Sequence, residues 1–233
     1  MSDTPQRTEL GVCYKTIHRA DPDAVKALSR FGVATIHEAL GRLGLMQPHL
    51  KPIYTGAYCC GPAITVLLQP GDNWMLHVAA EQIQPGDVVV AACTTSCTDG
   101  FFGDLLATSF KARGATGLII DGGVRDIKDL TDMPFPVWSK AIGARGTIKA
   151  TPGSVNIPIV CAGTVVYPGD VVIADDDGVV VVPADKATVV ATAAQTRESN
   201  EASKRKQFAS GVLGLDMYNM REPLEKAGFR YID

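Results

Sequence analysis

Residues 100–126, GFFGDLLATSFKARGATGLIIDGGVRD, predict the central elements of the fold. Gly103 and Asp104 are typical of a turn that opens a helix, which we expect to run to about Lys111 and to end before Gly114. An acidic residue in the first turn of a helix is favoured by the helix dipole. The first half of the stretch therefore predicts a short helix that begins with an acid.

The second half of the stretch predicts a buried strand followed by a charged loop. Residues 116–120 end in an unbroken Leu-Ile-Ile run, as in a strand that is covered on both faces. The Asp-Gly-Gly sequence at 121–123 predicts a turn that presents Arg125 and Asp126 at the rim of a buried sheet. Charged residues next to glycines on such a rim are typical of a ligand site.

The composition indicates a soluble globular protein of 233 residues, which we expect to form a single domain. Hydrophobic residues make up 46% and charged residues 20% of the chain. A net charge of −3 and a pI near 5.8 give no reason to expect nucleic acid or an anionic membrane as a partner. The six cysteines form no C-x-x-C pair and the amino terminus is polar, so we expect reduced thiols and a cytoplasmic location.

Outside the central stretch, the sequence predicts further helices and strands of an α/β fold. We expect helices from Asp21 to Arg30, from Ile36 to Leu43 after a capping box at Thr35-x-x-Glu38, and from Asp72 to Gln82, with strands over residues 63–68 and 88–92.

Two turn patterns accompany these elements. Pro-Gly-Asp occurs at 85–87 and at 168–170, and each copy predicts a tight turn that feeds a buried strand. Two similar turns are favoured over an internal duplication. Three aspartates and a glycine at 175–178 predict a β-hairpin, in which a solvated turn is favoured over a cation site.

The carboxyl-terminal part, residues 184–233, predicts a long helix and a tail. The helix is expected to run to about Ser210 and is strongly charged from Arg197 to Lys206. The tail over residues 211–233 is predicted to be loop-like but retains apolar residues. Both features predict contact with another subunit. The core of the domain is expected to cover residues 20–183.

The charged residues of the central stretch permit metal-assisted chemistry on a small anion. Arg125 offers paired donors to a carboxylate or a developing oxyanion, and Asp126 can ligate a hard cation such as Mg²⁺ or Mn²⁺. The backbone amides that follow Asp104, at Leu105 and Leu106, form an anion seat. Two plainer interpretations stay open: Asp104 as a helix cap, and Arg125 with Asp126 as a surface salt bridge.

Other chemistries fit the sequence less well. The four histidines show no zinc-binding spacing, and neither a serine-hydrolase elbow, a Walker loop nor a dinucleotide fingerprint is present. Arg145 and Lys149 flank a glycine turn over residues 143–149. This turn predicts either a grip for a second carboxylate or a plain basic loop.

The two motifs over residues 103–107 and 121–126 together resemble a family that includes 4-hydroxy-4-methyl-2-oxoglutarate/4-carboxy-4-hydroxy-2-oxoadipate aldolases and RraA-like regulators of ribonuclease activity. The resemblance extends from about Asp21 onward. The aldolases are similar to this chain in having a charged helix with a glutamate at the position of Glu201, for which Glu198 is the poorer match. This resemblance favours the aldolase over a non-catalytic regulator that binds a ribonuclease or a helicase.

The resemblance implies a compact, β-rich α/β fold of the RraA-like (swivelling β/β/α) type with helical extensions at both ends. It also implies a homotrimer or homohexamer with the active site between subunits. The implied activity is that of a divalent-metal-dependent (class II) aldolase, which cleaves 4-carboxy-4-hydroxy-2-oxoadipate to pyruvate and oxaloacetate or 4-hydroxy-4-methyl-2-oxoglutarate to two pyruvates. The implied pathway is aromatic-acid (protocatechuate or gallate) catabolism. Oxaloacetate decarboxylation is implied as a side activity. The implied site has Asp126 as the ligand of Mg²⁺ or Mn²⁺, Arg125, Asp104 and Glu201 as catalytic residues, and Gly103, Leu105, Leu106, Arg125 and Lys149 as substrate-binding residues.

Overall fold

A computed structural model describes residues 9–233 of the chain. The described chain divides into two compact units, of which the first ends at Ala194 and the second is Gln195–Asp233. The first unit contains the β-sheet and its hydrophobic cores. No helix within residues 9–233 is long and apolar enough to cross a membrane.

The helices and strands are numbered along the chain. Helices α1 to α8 are Pro22–Leu28, Val33–Ala39, Trp74–Gln82, Asp104–Ala112, Ile127–Asp132, Ala187–Ala209, Gly214–Met217 and Arg221–Lys226, and a 3₁₀ turn lies at Ala184–Lys186. Strands β1 to β11 are Lys51–Pro52, Cys59–Leu68, Val88–Cys93, Gly100–Phe102, Gly117–Val124, Val137–Ile142, Ser154–Val155, Ile159–Cys161, Thr164–Val166, Val171–Asp175 and Gly178–Val182. The main sheet has the order β1-β6-β5-β3-β2-β10-β11, with β4 also paired to β5 and β7 to β2, and β8 and β9 form a second, two-stranded sheet.

The centre of the main sheet is parallel. Strands β2, β3, β5 and β6 all run in the same direction, with Ala91 opposite Ile120 and Ile120 opposite Ser139. The carboxyl ends of parallel strands meet at one edge of a sheet, which is where ligands bind in open α/β sheets. The short strand β4 joins this edge because it pairs in parallel with the last residues of β5.

Apolar residues cover both faces of the central strands. Helices α3, α4 and α5 pack on one face, where Phe102 lies 5.3 Å from Phe110 and 5.8 Å from Phe135 between ring centroids. The other face packs against the β8–β9 hairpin, with Trp138 and Cys161 fully buried. The unbroken apolar run of β5 is therefore covered on both sides, and the predicted α/β fold is confirmed.

The predicted turn at Asp-Gly-Gly is wrong, because β5 continues through these residues to Val124. The two glycines serve close packing instead of a turn. A Cβ added at Gly123 would overlap the carbonyl oxygen of Thr98, and one at Gly122 would lie 3.2 Å from the Phe101 ring. The pairing of β5 with β6 shifts register at this point, which is typical of a bulge next to a glycine.

The predicted capping box of the second helix is also wrong. Helix α2 begins at Val33 and ends at Ala39, so that Thr35 lies inside it. Its first amide, Val33 N, donates to the Asp175 Oδ2 atom at 2.8 Å. A carboxylate from the distant β10–β11 turn thus replaces the local cap, and a Cβ at Gly32 would lie 3.0 Å from the same oxygen.

Several local predictions are confirmed. Helix α4 begins at Asp104, and both Pro-Gly-Asp sequences form turns, with φ of 97° at Gly86 and 90° at Gly169. The hairpin is present as well, with Asp175 paired to Gly178. The carboxylate of Asp176 accepts from the Gly56 amide at 3.0 Å, so this turn is tied to the protein backbone.

The carboxyl-terminal helix α6 is buried near its start and carries the predicted charged residues further along its length. Its buried residues, Ala187, Val190, Ala191 and Ala194, all lie between its start and Ala194. The tail is not loop-like as predicted, because it contains α7 and α8. Within the second unit, Tyr218 packs 6.3 Å from Phe208 between ring centroids and lies 4.8 Å from the Lys204 ammonium.

Candidate active site

The structure brings the two ends of residues 100–126 together at the carboxyl edge of the parallel strands. Strand β4 pairs with the end of β5 through Gly100 opposite Gly123 and Phe102 opposite Val124. The Arg125 amide continues this ladder by donating to the Phe102 carbonyl at 2.9 Å. The residues that follow the two strands therefore leave the sheet side by side.

The carboxylate of Asp126 caps helix α4. The residue at the cap position is Gly103, which has no side chain to supply a hydrogen bond. Instead, the Asp104 amide donates to Asp126 Oδ2 at 3.3 Å. A Cβ at Gly103 would overlap this oxygen, so glycine is required for the approach. The interpretation of Asp104 as the helix cap is thus wrong, since its amide is the group that is capped.

The backbone of Asp126 has a left-handed conformation, with φ of 58° and ψ of 39°. Aspartate adopts this conformation more easily than most residues do, and the residual strain is of order 1 kcal/mol. Its carbonyl begins the next helix by accepting from the Leu130 amide at 3.0 Å. Asp126 is therefore fixed at the junction of β5 and α5 while its side chain reaches the start of α4.

The Arg125 guanidinium lies beside the Asp126 carboxylate in an open arrangement. Their Nε and Oδ2 atoms are 3.4 Å apart, and the side chains are 44% and 31% exposed. Three glycines leave room for the arginine: added Cβ atoms at Gly100, Gly103 and Gly146 would lie 3.2, 3.2 and 3.6 Å from its Cβ, Cγ and Nη1 atoms. The guanidinium keeps donors for a ligand, as recognition of a carboxylate or an enolate oxygen requires.

The first turn of α4 adds an acid and free amides to this arrangement. The half-buried Asp104 side chain has no hydrogen bond to any described residue. The amides of Leu105 and Leu106 lie in the first helical turn, where no carbonyl of the helix can accept from them. The Leu105 side chain is 78% exposed, whereas that of Leu106 lies in the core. Leu106 can therefore reach a ligand only through its backbone.

The two cations of the basic turn have different surroundings. The Arg145 carbonyl accepts from the Gly100 amide at 2.7 Å, which places the backbone of residue 145 next to the start of β4. Lys149 lies in a segment that is tied to the start of α3, and within the described chain no ion pair joins it to Asp126. The structure therefore brings Arg145, more directly than Lys149, to the Arg125 pair.

Asp72 holds the segment around Lys149. Its carboxylate accepts from the amides of Ala150, Thr151 and Trp74 at 2.6, 2.7 and 2.8 Å. Burial by itself would raise the pKa of Asp72, but these hydrogen bonds and the charge of Lys149 outweigh burial, so the pKa is lowered. In α3, burial and then the charge of Lys149 lower the pKa of His77.

The sequence did not indicate a second polar cluster, which is centred on Asp121. The Oδ1 atom of Asp121 lies 3.1 Å from His49 Nε2 and 3.4 Å from Lys140 Nζ, and its Oδ2 atom accepts from the Ala162 amide at 3.1 Å. Lys140 also donates to Ser96 Oγ at 2.9 Å. The one signal in the sequence is a carboxylate directly after an apolar run, where the Asp-Gly-Gly pattern predicts a turn.

Burial also marks the cysteines near this cluster. It raises the pKa of Cys93 to about 12, with a further contribution from the nearby charge of Asp121. Burial raises the pKa of Cys161 as well. Both residues are therefore thiols at neutral pH and are unsuited to act as nucleophiles.

Glu201 lies in the second unit, in the charged half of α6. Its carboxylate contacts Arg197 Nε at 3.0 Å and Arg205 Nη2 at 3.4 Å, one helical turn away on either side. Glu198 is exposed, whereas Glu201 is half-buried. The catalytic role of Glu201 stays a prediction.

The donor set of the site suits a hard cation held by a single carboxylate. Within residues 9–233, no group of three or more His, Cys, Asp or Glu side chains could hold a metal ion. Within the described chain, the Asp104 amide and Arg125 both contact Oδ2 of Asp126, which leaves Oδ1 for a cation. Mg²⁺ commonly takes one or two carboxylates and completes its shell with water and substrate oxygens.

The chain is similar to known proteins over most of its length. The RraA-like (Aldolase/RraA) family model matches residues 33–181, a range that includes Gly103, Arg125 and Asp126. A protein of Halalkalibacterium halodurans, provisionally named 4-hydroxy-4-methyl-2-oxoglutarate aldolase, is 28% identical over 200 residues, which cover 86% of this chain and 95% of the relative.

Two crystal structures have a similar fold. RraAS2 of Streptomyces coelicolor, described as an unusual member of the RNase ES inhibitor RraA protein family, matches with a TM-score of 0.73 and 30% identity over 82% of this chain and 99% of its own. An uncharacterized protein of Pseudomonas syringae pv. tomato matches with a TM-score of 0.74 and 26% identity over 88% of this chain and 100% of its own. The likeness therefore includes proteins named as aldolases and proteins named as ribonuclease inhibitors.

Proposed function

Because the chain belongs to the RraA-like (Aldolase/RraA) family, we propose that it is a pyruvate-forming aldolase that cleaves 4-hydroxy-2-oxo acids. The proposed substrates are 4-hydroxy-4-methyl-2-oxoglutarate, which yields two pyruvates, and 4-carboxy-4-hydroxy-2-oxoadipate, which yields pyruvate and oxaloacetate. The observation that carries this proposal is the open Arg125–Asp126 pair at the start of α4, next to the carboxylate of Asp104, which no side chain or backbone group of the described chain engages. A guanidinium, a carboxylate without a partner and free helix amides are the groups that a retro-aldol reaction of an oxo acid requires.

Asp126 would hold the divalent cation, Mg²⁺ or Mn²⁺, that the class II aldolase reaction requires. Its Oδ2 atom is engaged with the Asp104 amide and Arg125, so Oδ1 is the atom that would bind the ion. When bound, the cation polarises the 2-oxo group and stabilises negative charge on its oxygen.

The residues of the chain have separate roles in the proposed reaction. The amides of Leu105 and Leu106 bind the carboxylate next to the 2-oxo group, with help from the dipole of α4. A water oriented by Asp104 and Arg125 removes the proton of the C4 hydroxyl, and the C4 oxygen becomes a carbonyl as the C3–C4 bond breaks. The bonding electrons pass to the enolate of pyruvate, whose oxygen Arg125 stabilises. Protonation at C3 then releases pyruvate.

We further propose that Glu201 acts from a neighbouring subunit of a homotrimer or homohexamer. The charged half of α6 and the exposed apolar residues of the tail, including Leu213, Tyr218 and Met220, support contact with another copy. Oxaloacetate decarboxylation is proposed as a side activity, because it forms the same enolate. A catabolic role in aromatic-acid degradation is proposed on the same basis.

A second candidate function is that of a non-catalytic regulator of a ribonuclease or a helicase. The likeness to Streptomyces coelicolor RraAS2, which covers 99% of that chain, favours it. Such a protein needs neither a divalent cation nor the open pair at the start of α4. The two candidates therefore differ in their response to chelation.

The deciding experiment is pyruvate release from both proposed substrates by the purified protein, coupled to lactate dehydrogenase, with and without a chelator. We expect turnover that chelation abolishes and that Mg²⁺ or Mn²⁺ restores. Asp126→Asn should abolish turnover, whereas Asp129→Asn, which changes an exposed acid on the next helix, should not. Absence of turnover with every divalent metal would overturn the aldolase and favour the regulator.

A further inference from the structure

Arg125 and Arg145 both lie next to Gly100. The Gly100 amide donates to the Arg145 carbonyl at 2.7 Å, and a Cβ at Gly100 would lie 3.2 Å both from this carbonyl and from Arg125 Cβ. A Cβ at Gly146 would lie 3.6 Å from Arg125 Nη1. The backbone on both sides of this contact thus brings residue 145 next to the arginine of the proposed site.

Arg145 differs from two other arginines in how many of its donors are used within the protein. Arg19 donates to Asp87 at 2.9 and 2.8 Å, and Arg113 donates to the carbonyls of Ala80 and Glu81 at 3.1 and 3.3 Å. Among residues 9–233, Arg145 has one ion-pair contact, 3.6 Å from its Nε to Asp99 Oδ1, which is longer than a hydrogen bond. The donors of Arg145 are therefore available to a ligand.

The turn that carries Arg145 has a packed base and an open tip. A Cβ at Gly100 would lie 2.5 Å from the Gly143 carbonyl, and one at Gly143 would lie 3.2 Å from the Thr98 carbonyl, so the base of the turn is held against residues 98–100. The Arg145 side chain is 83% exposed, whereas that of Asp99 is 18% exposed. The half-buried Asp99 carboxylate thus keeps the Arg145 guanidinium near the site but leaves its paired donors free for a ligand.

We propose that Arg145 binds a second carboxylate of the substrate, at the end away from the 2-oxo group that Arg125 contacts. This inference rests on the proposed function and names the residue that would recognise the carboxylate on C4 that both proposed substrates share. Guanidinium groups bind carboxylates through paired donors, and a second guanidinium on a segment next to Arg125 matches an acid whose second carboxylate lies beyond the 2-oxo group. Lys149 is less suited to this role because its ammonium lacks the planar pair of donors of a guanidinium.

The test compares the binding of two oxo acids that differ at one position. In 2-oxopentanoate, a methyl group replaces the distal carboxylate of 2-oxoglutarate. Calorimetry in the presence of Mg²⁺ would give dissociation constants for the full chain, Arg145→Gln and a control, Arg30→Gln. Arg30 is an exposed arginine for which the described structure gives no ion pair.

We expect Arg145→Gln to weaken 2-oxoglutarate binding by about tenfold, the effect of losing one charged hydrogen bond at an exposed site. Binding of 2-oxopentanoate should change by less than about twofold, because this ligand lacks the carboxylate that Arg145 would bind. A structural defect would instead weaken the binding of both ligands equally. Arg30→Gln should leave both constants unchanged. Equal losses for the two ligands, no loss for either, or no binding by the unaltered protein would overturn the assignment.

Turnover is measured separately on the same preparations. If the unaltered protein binds 2-oxoglutarate better than 2-oxopentanoate, and Arg145→Gln removes this preference, the assignment of Arg145 stands even when no substrate is cleaved. In that case the proposed aldolase fails and the dicarboxylate site does not. If the protein cleaves a proposed substrate but Arg145→Gln keeps the preference for 2-oxoglutarate over 2-oxopentanoate, the aldolase proposal stands and the assignment of Arg145 fails.

Discussion

Two arginine–aspartate pairs in this protein contain the same side chains in opposite arrangements. Arg19 donates from Nε and Nη2 to the two oxygens of Asp87 at 2.9 and 2.8 Å, and the Asp87 side chain is 2% exposed. Arg125 contacts Asp126 at a single distance of 3.4 Å, and both side chains are partly exposed. We call the first pair closed, because both oxygens of its carboxylate accept from its own arginine. We call the second pair open, because Arg125 keeps unused donors and Asp126 keeps an unused acceptor oxygen.

The backbone around each pair explains the difference. Asp87 follows Gly86 in a tight turn and also accepts from the Gln84 amide at 2.8 Å, so its oxygens are fully used inside the protein. Asp126 lies where β5 ends, and glycines keep the space around Arg125 clear. A closed, buried pair is expected to matter for folding, and an open pair at a strand end is expected to matter for binding.

The largest expected effect is a loss of stability when the closed pair is broken. Arg19→Met leaves the buried Asp87 carboxylate without its cation, which should lower the free energy of unfolding by about 3–5 kcal/mol. Urea denaturation at pH 7 measures this change. The double variant Arg19→Met/Asp87→Asn should cost less, because no unpaired charge stays buried. A single variant as stable as the unaltered protein would contradict the distinction between the two pairs.

The next effect should be on catalysis when the open pair is altered. Arg125→Lys keeps the charge but loses the planar fork, so we expect kcat to fall by about 10²–10³, the range for loss of one oxyanion donor. The free energy of unfolding should change by less than about 0.5 kcal/mol, since the contact is long and exposed. Steady-state kinetics and urea denaturation on one preparation give both values. Near-normal turnover would remove Arg125 from the proposed mechanism.

A matched pair of glycine variants tests the space around Arg125. An added Cβ at Gly103 would overlap Asp126 Oδ2 and lie 3.1 Å from Asp126 Cγ, whereas one at Gly146 would make an ordinary contact of 3.6 Å with Arg125 Nη1. Gly103→Ala should displace the Asp126 carboxylate and lower kcat by about a hundredfold, as a displacement of about 1 Å in a site can do. Gly146→Ala should lower it by less than about threefold. Equal losses in the two variants would show that the crowding at Gly103 is not specific.

The smallest effect concerns Asp72, a buried carboxylate that is held by amides without a closed ion pair. Since its pKa is lowered in the folded state, Asp72 stabilises the protein above the unfolded pKa of about 3.9, and this stabilisation is lost as the pH falls through the folded pKa. Asp72→Asn should therefore cost about 1–3 kcal/mol at pH 7 and progressively less below about pH 4. Urea denaturation across this range measures the difference, with the exposed Asp177→Asn as a control. A cost that does not depend on pH would contradict this account.

Local patterns in the sequence were sufficient for several elements. The start of α4 at Asp104, the buried run of β5 and the turns at Gly86 and Gly169 follow from residues that are close together in the chain. Proline restricts φ to one range and glycine permits positive φ, so a Pro-Gly pair specifies a turn almost without regard to its surroundings. The charged residues of the candidate site were also found in this way, because Asp104, Arg125 and Asp126 fall within one short stretch.

The contacts that give these residues their roles come only from the tertiary structure. The carboxylate that caps α4 is 22 residues away from the amide it accepts from, and the carboxylate that caps α2 is 142 residues away. The Asp-Gly-Gly sequence forms a strand because Gly123 packs against Thr98. A periodic pattern in the sequence reports which neighbours along the chain share a face, but it holds no information on which distant segment will lie against that face. The open pair at Arg125, the closed pair at Arg19 and the place of Arg145 were therefore decided by packing across the sheet.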